Sequence, residues 1–276
     1  MFTLNCKGRL LVAEKPLVMG IINLTPDSFY EGSRFSLMDE VLKQAEKMIR
    51  EGADLLDIGG QSTHPGAEQV GVSEELQRVI ESIRSIHNHF PEAVLSIDTY
   101  SSKVALEAIA AGASMVNDVS GGNMDASMLK VVGGLNVPYV CMHMKGDPLT
   151  MQKEAVYEDV TLEVLDYFIE KKAACIKAGI KDLILDPGFG FAKTSRHNFE
   201  LLRKLSVFRM LDCPILLGLS RKATIYKTLG IGPGEALNGT TVMNTVGLMQ
   251  GAQILRVHDV REAKEAVELV TAMRAT

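Results

Sequence analysis

Polar side chains end most of the short apolar runs along this chain, and their types could do chemistry. Carboxylates, carboxamides and cations stand at the last residue of a run or just after it. One polar residue at such a place is ordinarily a helix cap or a turn former, but its recurrence at nearly every run indicates a shared site. The residues are Asn23, Asp57, Asp98, Thr99, Asn117, Asp118, His143, Asp186, Ser220, Arg221, Lys222, Arg256 and His258.

The acceptors among these residues suit a flat nitrogen heterocycle. Asp98, Asn117 and Asp186 follow three different apolar runs and supply two carboxylates and one carboxamide. A carboxylate can accept two parallel hydrogen bonds from an amino-imine edge. The pattern therefore predicts a pocket that binds the N–H edge of a heterocycle.

The cations suit phosphate. Lys222, Arg256 and His258 follow the last two apolar runs. A guanidinium fork matches phosphate oxygens, and barrel enzymes often hold phosphate after strands 7 and 8. No Ser/His/Asp or Cys/His arrangement in the sequence indicates a covalent nucleophile. We expect a phosphate group beside the heterocycle.

Eight short apolar runs, typical of strands buried on both faces, must position these side chains. They alternate with helical stretches along a chain of 276 residues. This alternation predicts a single-domain α/β fold over residues 1–276, a (β/α)₈ TIM barrel with an N-terminal β-hairpin turned at Lys7-Gly8. A doubly wound open sheet is the alternative, although no G-x-G-x-x-G follows the first run. The runs are residues 18–23, 55–59, 94–98, 115–119, 138–142, 183–186, 214–218 and 254–257.

Helical periodicity followed by glycine marks the connections between the runs. Ser73 is the predicted N-cap of the second helix. A further helix is predicted just after Ser220 and continues to Gly230. The other predicted helices are residues 37–51, 101–111, 156–178 and 238–250, which end at Gly52, Gly112, Gly179 and Gly251.

Charge and cysteine usage narrow the class of protein. Lys and Arg number 29 against 34 Asp and Glu, a net charge of -5, which argues against a nucleic-acid partner. The N-terminus lacks an apolar signal segment and no apolar run is long enough to span a membrane. The four cysteines lack C-x-x-C spacing and predict reduced thiols in a cytoplasmic protein, with Cys141 and Cys213 in the core.

Seven motifs, in order along the chain, resemble those of the dihydropteroate synthase family of folate biosynthesis. They are N-L-T-P-D-S-F at 23–29, G-G-Q-S-T-H-P-G-A at 59–67, S-I-D-T at 96–99, N-D-V-S-G-G at 117–122, D-P-G-F-G-F-A-K-T at 186–194, S-R-K at 220–222 and R-V-H-D-V at 256–260. The family joins a dihydropterin carrying a methyl diphosphate to p-aminobenzoate and releases pyrophosphate. The resemblance implies this reaction, Mg²⁺ as cofactor, two small-molecule substrates and a homodimer.

The resemblance also implies roles for individual residues. The pterin would contact Asp98, Asn117, Asp186, Lys222, Gly218 and Met142. The diphosphate would contact Thr63, Arg256, His258 and, through Mg²⁺ as metal ligand, Asn23. The p-aminobenzoate would contact Thr63, Pro65, Phe191 and Ala223. The catalytic residues would be Asp98, Lys222 and Asp27.

Three residues depart from the family pattern near the expected p-aminobenzoate end. His64, Gln61 and Ala223 stand where the family usually has Arg, Glu and Ser. Two other functions stay open, a pterin-binding methyltransferase domain and a non-catalytic pterin-binding protein. The methyltransferase would have less reason to keep Arg256 and His258, which suit a diphosphate.

Three of the polar strand-end residues have simpler interpretations. Asp57 could fix a turn or touch a ligand, and the sequence leaves both open. Asp118 is interpreted as a loop partner. His143 has no second His or Cys at helical spacing and is interpreted as structural.

Overall fold

The computed structural model describes residues 1–24, 34–61, 70–147, 150–151 and 153–275, with side chains of the first helix described from residue 38. Asp27, Thr63, His64 and Pro65 lie outside these residues.

The chain begins with an antiparallel hairpin of β1 (Phe2–Cys6) and β2 (Arg9–Ala13). Lys7 and Gly8 turn it with φ of 55° and 89°, the left-handed pair that a two-residue hairpin turn needs. This confirms the predicted hairpin. Its buried side chains pack against the first residues of the barrel strands, so the hairpin covers the amino-terminal end of the barrel.

Eight parallel strands form a nearly closed barrel, in the spatial order β8-β7-β6-β5-β4-β3-β10-β9. The strands are β3 (Leu17–Asn23), β4 (Leu55–Gly59), β5 (Val94–Asp98), β6 (Met115–Asp118), β7 (Tyr139–Met142), β8 (Leu183–Asp186), β9 (Leu216–Leu217) and β10 (Ile254–Val257). Between β8 and β9 the barrel closes by a single bridge from Leu185 to Ile215, where the Leu185 amide donates to the Pro214 carbonyl at 2.9 Å. The predicted TIM barrel is therefore confirmed, with its seam at β8 and β9.

Helices surround the barrel, and the main core lies between them and the strands. They are α1 (Arg34–Arg50), α2 (Val72–His89), α3 (Ser102–Ala111), α4 (Met128–Leu135), α5 (Val160–Lys177), α6 (Ser195–Arg203), α7 (Ala223–Leu229), α8 (Leu237–Met249) and α9 (Val260–Ala275), with short 3₁₀ helices at Leu205–Leu211 and Pro233–Glu235. Among the described helices, none combines the length and apolar character that a bilayer span requires.

Glycines end several helices as predicted. Gly52, Gly112, Gly179 and Gly251 have φ between 90° and 128°, the left-handed conformation that stops a helix before the next strand. The predicted α7 begins at Ala223 and ends before Gly230, which confirms it.

Three predicted helix starts are wrong. The first helix begins at Arg34 rather than residue 37. The N-cap of α2 is Gly71 rather than Ser73, because the Gly71 carbonyl already accepts from the Glu74 and Glu75 amides at 3.0 Å. The fifth helix begins at Val160 rather than residue 156, because the Asp159 carboxylate caps it and accepts from the Thr161 amide at 2.8 Å.

All four cysteines are free thiols, as expected. Cys141 is fully buried in the core, which confirms its predicted place. Cys213 is only half-buried and packs at the edge of the core, so its prediction as a core residue is wrong.

Candidate functional site

The parallel strands bring the predicted polar residues to one rim of the barrel. Asp98 ends β5, Asp186 ends β8 and Asn117 stands one residue before the end of β6. All three are less than 10% exposed. Because the carboxyl ends of parallel strands meet at the same end of a barrel, side chains far apart in sequence share one cavity mouth.

Arg256 on β10 joins two carboxylates at this rim. Its Nε donates to Asp57 Oδ2 and its Nη2 to Asp98 Oδ2, both at 2.6 Å. Asn117 Nδ2 donates to the same Asp57 oxygen at 2.9 Å. In the described part of the chain, the other Asp57 carboxylate oxygen is buried without a hydrogen-bond partner. Asp57, whose role the sequence left open, thus fixes Arg256 and Asn117.

Burial raises the pKa of the Asp98 carboxyl to about 7, against the opposing charge of Arg256 and with a contribution from Asp57. The same carboxylates raise the pKa of Arg256 above its ordinary value, although its own burial opposes them. Asp98 therefore changes charge near neutral pH while the guanidinium beside it stays cationic.

Asp186 keeps much of its hydrogen-bonding capacity. Within the described residues its carboxylate accepts from the Gly188 amide at 2.8 Å. Burial raises its pKa, and the nearby Lys222 opposes that rise. A side chain at Gly218 would begin 3.7 Å from Asp186 Oδ2, so the glycine leaves the carboxylate bordered by backbone.

Lys222 stands over the loop that follows Asp186. Its ammonium donates to the Phe189 carbonyl and lies 4.3 Å from the centroid of the Phe191 ring. Burial lowers the pKa of Lys222 to about 8, and the negative charge of Asp186 opposes the shift. The cation therefore lies between an aromatic face and a buried carboxylate.

One wall of the site is apolar. Met142 at the end of β7 and Phe191 belong to a small buried cluster with Val119, Met144 and Ala192. A flat ring placed between this wall and the carboxylates could satisfy its N–H edge and bury its face.

The remaining predicted phosphate ligands lie on neighbouring segments. Asn23 is half-buried at the end of β3, and His258 is exposed just after β10. Ser220 Oγ lies 3.0 Å from His258 Nδ1 and also accepts from the His258 amide at 3.1 Å. The structure thus brings His258 to Ser220, whereas Arg256 contacts the carboxylates.

Asp118 and His143 are structural, as interpreted from the sequence. Asp118 accepts from the Ser120 amide and hydroxyl, the Gly122 amide and the Tyr139 hydroxyl, at 2.7–2.8 Å. His143 is buried and its Nδ1 lies 2.9 Å from Lys193 Nζ.

Sequence reasoning missed two buried charged residues next to the site, Lys193 and Glu75. Glu75 Oε2 accepts from Gln61 Nε2 at 2.9 Å, and Gln61 Oε1 accepts from the Tyr100 hydroxyl at 2.8 Å. The available signals were that Lys193 stands inside the motif at 186–194 and that Gln61 departs from the family pattern. Neither signal identified the groups that Lys193 and Gln61 contact.

Among the described residues, no three His, Cys, Asp or Glu side chains converge on a point that could hold a metal ion. Asn23 offers a single carboxamide oxygen, a hard donor of the kind that Mg²⁺ accepts together with water and phosphate oxygens. Ala223, the first residue of α7, is half-buried beside Lys222.

Comparison with known proteins agrees with this geometry. Residues 19–258 match the family model described as pterin binding enzyme. The sequence is 43% identical over 271 residues to dihydropteroate synthase of Escherichia coli strain K12, covering 98% of this chain and 95% of that protein.

Solved structures agree as well. Dihydropteroate synthase of Xanthomonas albilineans with 4-aminobenzoic acid superposes with a TM-score of 0.93 at 40% identity, covering 99% of this chain and 98% of that chain. A structure of the Xanthomonas albilineans enzyme in complex with 7,8-dihydropteroate gives a TM-score of 0.90 at 38% identity, with both chains covered completely.

Proposed function

The chain belongs to the dihydropteroate synthases among the pterin binding enzymes, and on that premise we propose how its own residues divide the reaction. The reaction condenses 6-hydroxymethyl-7,8-dihydropterin diphosphate with p-aminobenzoate and yields 7,8-dihydropteroate and pyrophosphate. The observation that carries the assignment is the rim of buried acceptors formed by Asp98, Asn117 and Asp186 beside Lys222. The pterin-binding domain spans residues 1–276.

Asp98, Asn117 and Asp186 hold the N–H edge of the pterin. A carboxylate with open acceptor sites matches an amino-imine edge better than any neutral side chain does. Asp186 supports this role because it accepts one hydrogen bond from the described chain and borders Gly218. Lys222 covers one face of the pterin ring, and Met142 packs on the pterin from β7.

Arg256, His258, Thr63 and Asn23 hold the diphosphate, Asn23 as ligand of Mg²⁺. When bound, Mg²⁺ supplies positive charge to the phosphate oxygens. Arg256 must then share its guanidinium between Asp57, Asp98 and the incoming oxygens. Its planar fork has five N–H donors, of which the two carboxylates use two, so donors remain for phosphate.

The bond between the pterin methylene carbon and the diphosphate oxygen breaks with both electrons leaving on oxygen. The cations at Arg256 and His258 stabilise that charge. The methylene carbon left behind is cationic, and Asp98, once ionised, stabilises it. The aniline nitrogen of p-aminobenzoate attacks this carbon and then loses a proton, so no strong base is needed to activate it. Asp27 and Lys222 complete the catalytic residues.

Phe191 and Ala223 line the p-aminobenzoate slot together with Thr63 and Pro65. Phe191 supports this role because its ring lies against Lys222, which places an aromatic face at the edge of the pterin pocket.

The enzyme works in the cytoplasm as a homodimer. Four unpaired thiols suit a reducing compartment. Val242, Val246 and Met249 are 54%, 39% and 51% exposed on one face of α8, where a second copy of the chain could cover them.

Pyrophosphate release on mixing the pterin diphosphate, p-aminobenzoate and Mg²⁺ tests the function. We expect release that depends on all three components, and formation of 7,8-dihydropteroate by mass spectrometry. Methyl transfer from a methylated folate without pyrophosphate release would support the methyltransferase instead. Pterin binding without either reaction would support a non-catalytic binding protein.

A further inference from the structure

Lys193 is a buried cation that the proposed reaction does not use. It lies in the loop between β8 and α6 and is 4% exposed. Its ammonium lies 2.9 Å from His143 Nδ1 and donates to the carbonyls of Gly188 at 3.0 Å and Phe191 at 3.1 Å. The His143 carbonyl lies 3.4 Å away. The lysine thus connects the end of β7 with both ends of the Gly188–Phe191 turn.

Burying an ammonium is costly unless its N–H donors are matched by acceptors. Three donors face three carbonyls and one imidazole nitrogen here, so the group is fully hydrogen-bonded. Burial lowers the pKa of both Lys193 and His143 well below their ordinary values. The neutral imidazole can therefore accept a hydrogen bond from the lysine.

The loop that these bonds hold has an unusual backbone. Gly188, Gly190 and Ala192 have φ of 71°, 82° and 48°. A side chain at Gly188 would begin 1.9 Å from the His143 carbonyl oxygen, so the turn runs directly against the end of β7. A left-handed non-glycine residue such as Ala192 persists only where surrounding contacts fix it. The ammonium of Lys193 supplies such contacts at Gly188 and at Phe191, the residue before Ala192.

The turn carries two groups of the site. The Phe191 ring lies under Lys222, and the Phe189 carbonyl accepts from the same Lys222 ammonium. Lys193 therefore bonds the carbonyls at both ends of the turn, while Lys222 contacts the Phe189 carbonyl and the Phe191 ring between them.

We propose that Lys193 is a positioning residue for the aromatic-acid subsite, acting through the Gly188 and Phe191 carbonyls to set the Phe191 ring beside Lys222. The proposal rests on the proposed function, in which Phe191 lines the p-aminobenzoate slot. Asp186 stands on β8 and meets the turn through the Gly188 amide, whereas Phe191 lies in the turn itself, so we expect Lys193 to affect the pterin pocket less than the aromatic-acid subsite.

Lys193→Met keeps an unbranched side chain, one heavy atom shorter, and removes all the N–H donors. We expect the KM for p-aminobenzoate to rise about tenfold, equivalent to roughly 1.4 kcal/mol, and the KM for the pterin diphosphate to change less than about threefold. Lys172→Met is the matched control, because Lys172 donates to the Leu211 carbonyl away from the barrel mouth. The control should leave both KM values unchanged.

A double-mutant cycle with Phe191→Leu separates positioning from general loss of structure. If Lys193 acts through Phe191, the two effects on the p-aminobenzoate KM are not additive. Additive effects, or an unchanged KM in Lys193→Met, would overturn the proposal. Should the Met variant fail to fold, Lys193→Gln, which keeps an amide donor, replaces it in the cycle. Failure of both to fold would make Lys193 a requirement of the fold and would equally overturn the proposal.

Fluorine NMR of the chain labelled with p-fluorophenylalanine tests positioning without catalysis. The Phe191 resonance is assigned by its loss in Phe191→Leu, and we expect it to shift or broaden in Lys193→Met but not in Lys172→Met. An unmoved Phe191 resonance would overturn the proposal even in an active enzyme. If the wild-type chain released no pyrophosphate, the proposed function would fail while this measurement still decided the role of Lys193.

Discussion

Asp118 and Asp186 end strands β6 and β8 at the same rim of the barrel, and burial raises the pKa of both carboxyls. Asp118 accepts from four protein donors, which hold the loop after β6. Asp186 accepts from the Gly188 amide alone within the described residues. A carboxylate has acceptor sites for about four hydrogen bonds. The protein therefore fills the acceptor sites of Asp118 but leaves most of those of Asp186 open.

The difference shows which buried polar groups are available to a ligand. Burial and a raised pKa do not separate the two residues, because both share them. What separates them is the acceptor capacity left after folding. Asp98 is a third case, because its hydrogen-bond donor is the charged Arg256 rather than the backbone.

Asp98 gives the largest expected effect. We expect Asp98→Asn to lower kcat/KM by about 100-fold or more, because preorganised charge beside developing charge contributes roughly 10²–10³ to a rate. The carboxyl acts when ionised and has a pKa of about 7, so wild-type kcat/KM should fall as the pH drops below that value. A profile of kcat/KM against pH checks both points. If the variant kept the wild-type slope, substrate ionisation rather than Asp98 would be its cause.

Asp118 should matter for stability rather than for binding. Asp118→Asn places an amide donor among donors, and we expect the free energy of unfolding to fall by about 2 kcal/mol. Tyr139→Phe removes one of the four donors and should cost about 1 kcal/mol. Urea unfolding measures both, with pterin affinity of the folded protein as control. A large loss of pterin affinity in Asp118→Asn would break the distinction from Asp186.

Asp186 should matter for binding rather than for stability. We expect Asp186→Asn to weaken pterin binding at least about tenfold, since a charge-assisted hydrogen bond contributes roughly 1.5–3 kcal/mol. The free energy of unfolding should change little, because removing a charge that is buried with few hydrogen bonds costs the fold less. Calorimetric titration with the pterin decides, and unchanged affinity would remove Asp186 from the site.

Ala223 gives the smallest effect, at the far end of the site. Ala223→Ser adds a hydroxyl at the first residue of α7, where the family usually has Ser. We expect the KM for p-aminobenzoate to fall several-fold, because a hydroxyl bond to its carboxylate contributes about 1.5–3 kcal/mol at most and water can replace part of it. The KM for the pterin diphosphate serves as internal control. Steady-state kinetics measures both values. If neither changed, groups other than residue 223 would hold the carboxylate of p-aminobenzoate.

Sequence reasoning located the strands and their terminal polar residues because buried parallel strands are short apolar runs separated by helical stretches. Helix ends followed from glycine, whose left-handed conformation is a local property, as at Gly112. The start of α2 was misplaced because the backbone carbonyl of Gly71 caps it, and capping by a backbone group leaves no signal in the residue types. Local signals therefore gave the elements and most of their bounds.

Partners inside the barrel could not be read from the sequence. Arg256 pairs with Asp57, 199 residues away, and with Asp98, 158 residues away. The motif at 186–194 contains Lys193, but only the fold shows that the His143 and Gly188 carbonyls lie around its ammonium. These contacts depend on which side chains the closed barrel brings face to face.

The seam between β8 and β9 lies directly beneath the site. One bridge at Leu185 joins its two sides, with Asp186 following on one strand and Gly218 on the other. A pterin that bonded Asp186 and stacked under Lys222 would contact both sides of the seam and hold β8 and β9 together. Amide hydrogens along the seam should then exchange with solvent more slowly when the pterin is bound. Hydrogen exchange at the β8–β9 junction would therefore report whether the site is occupied.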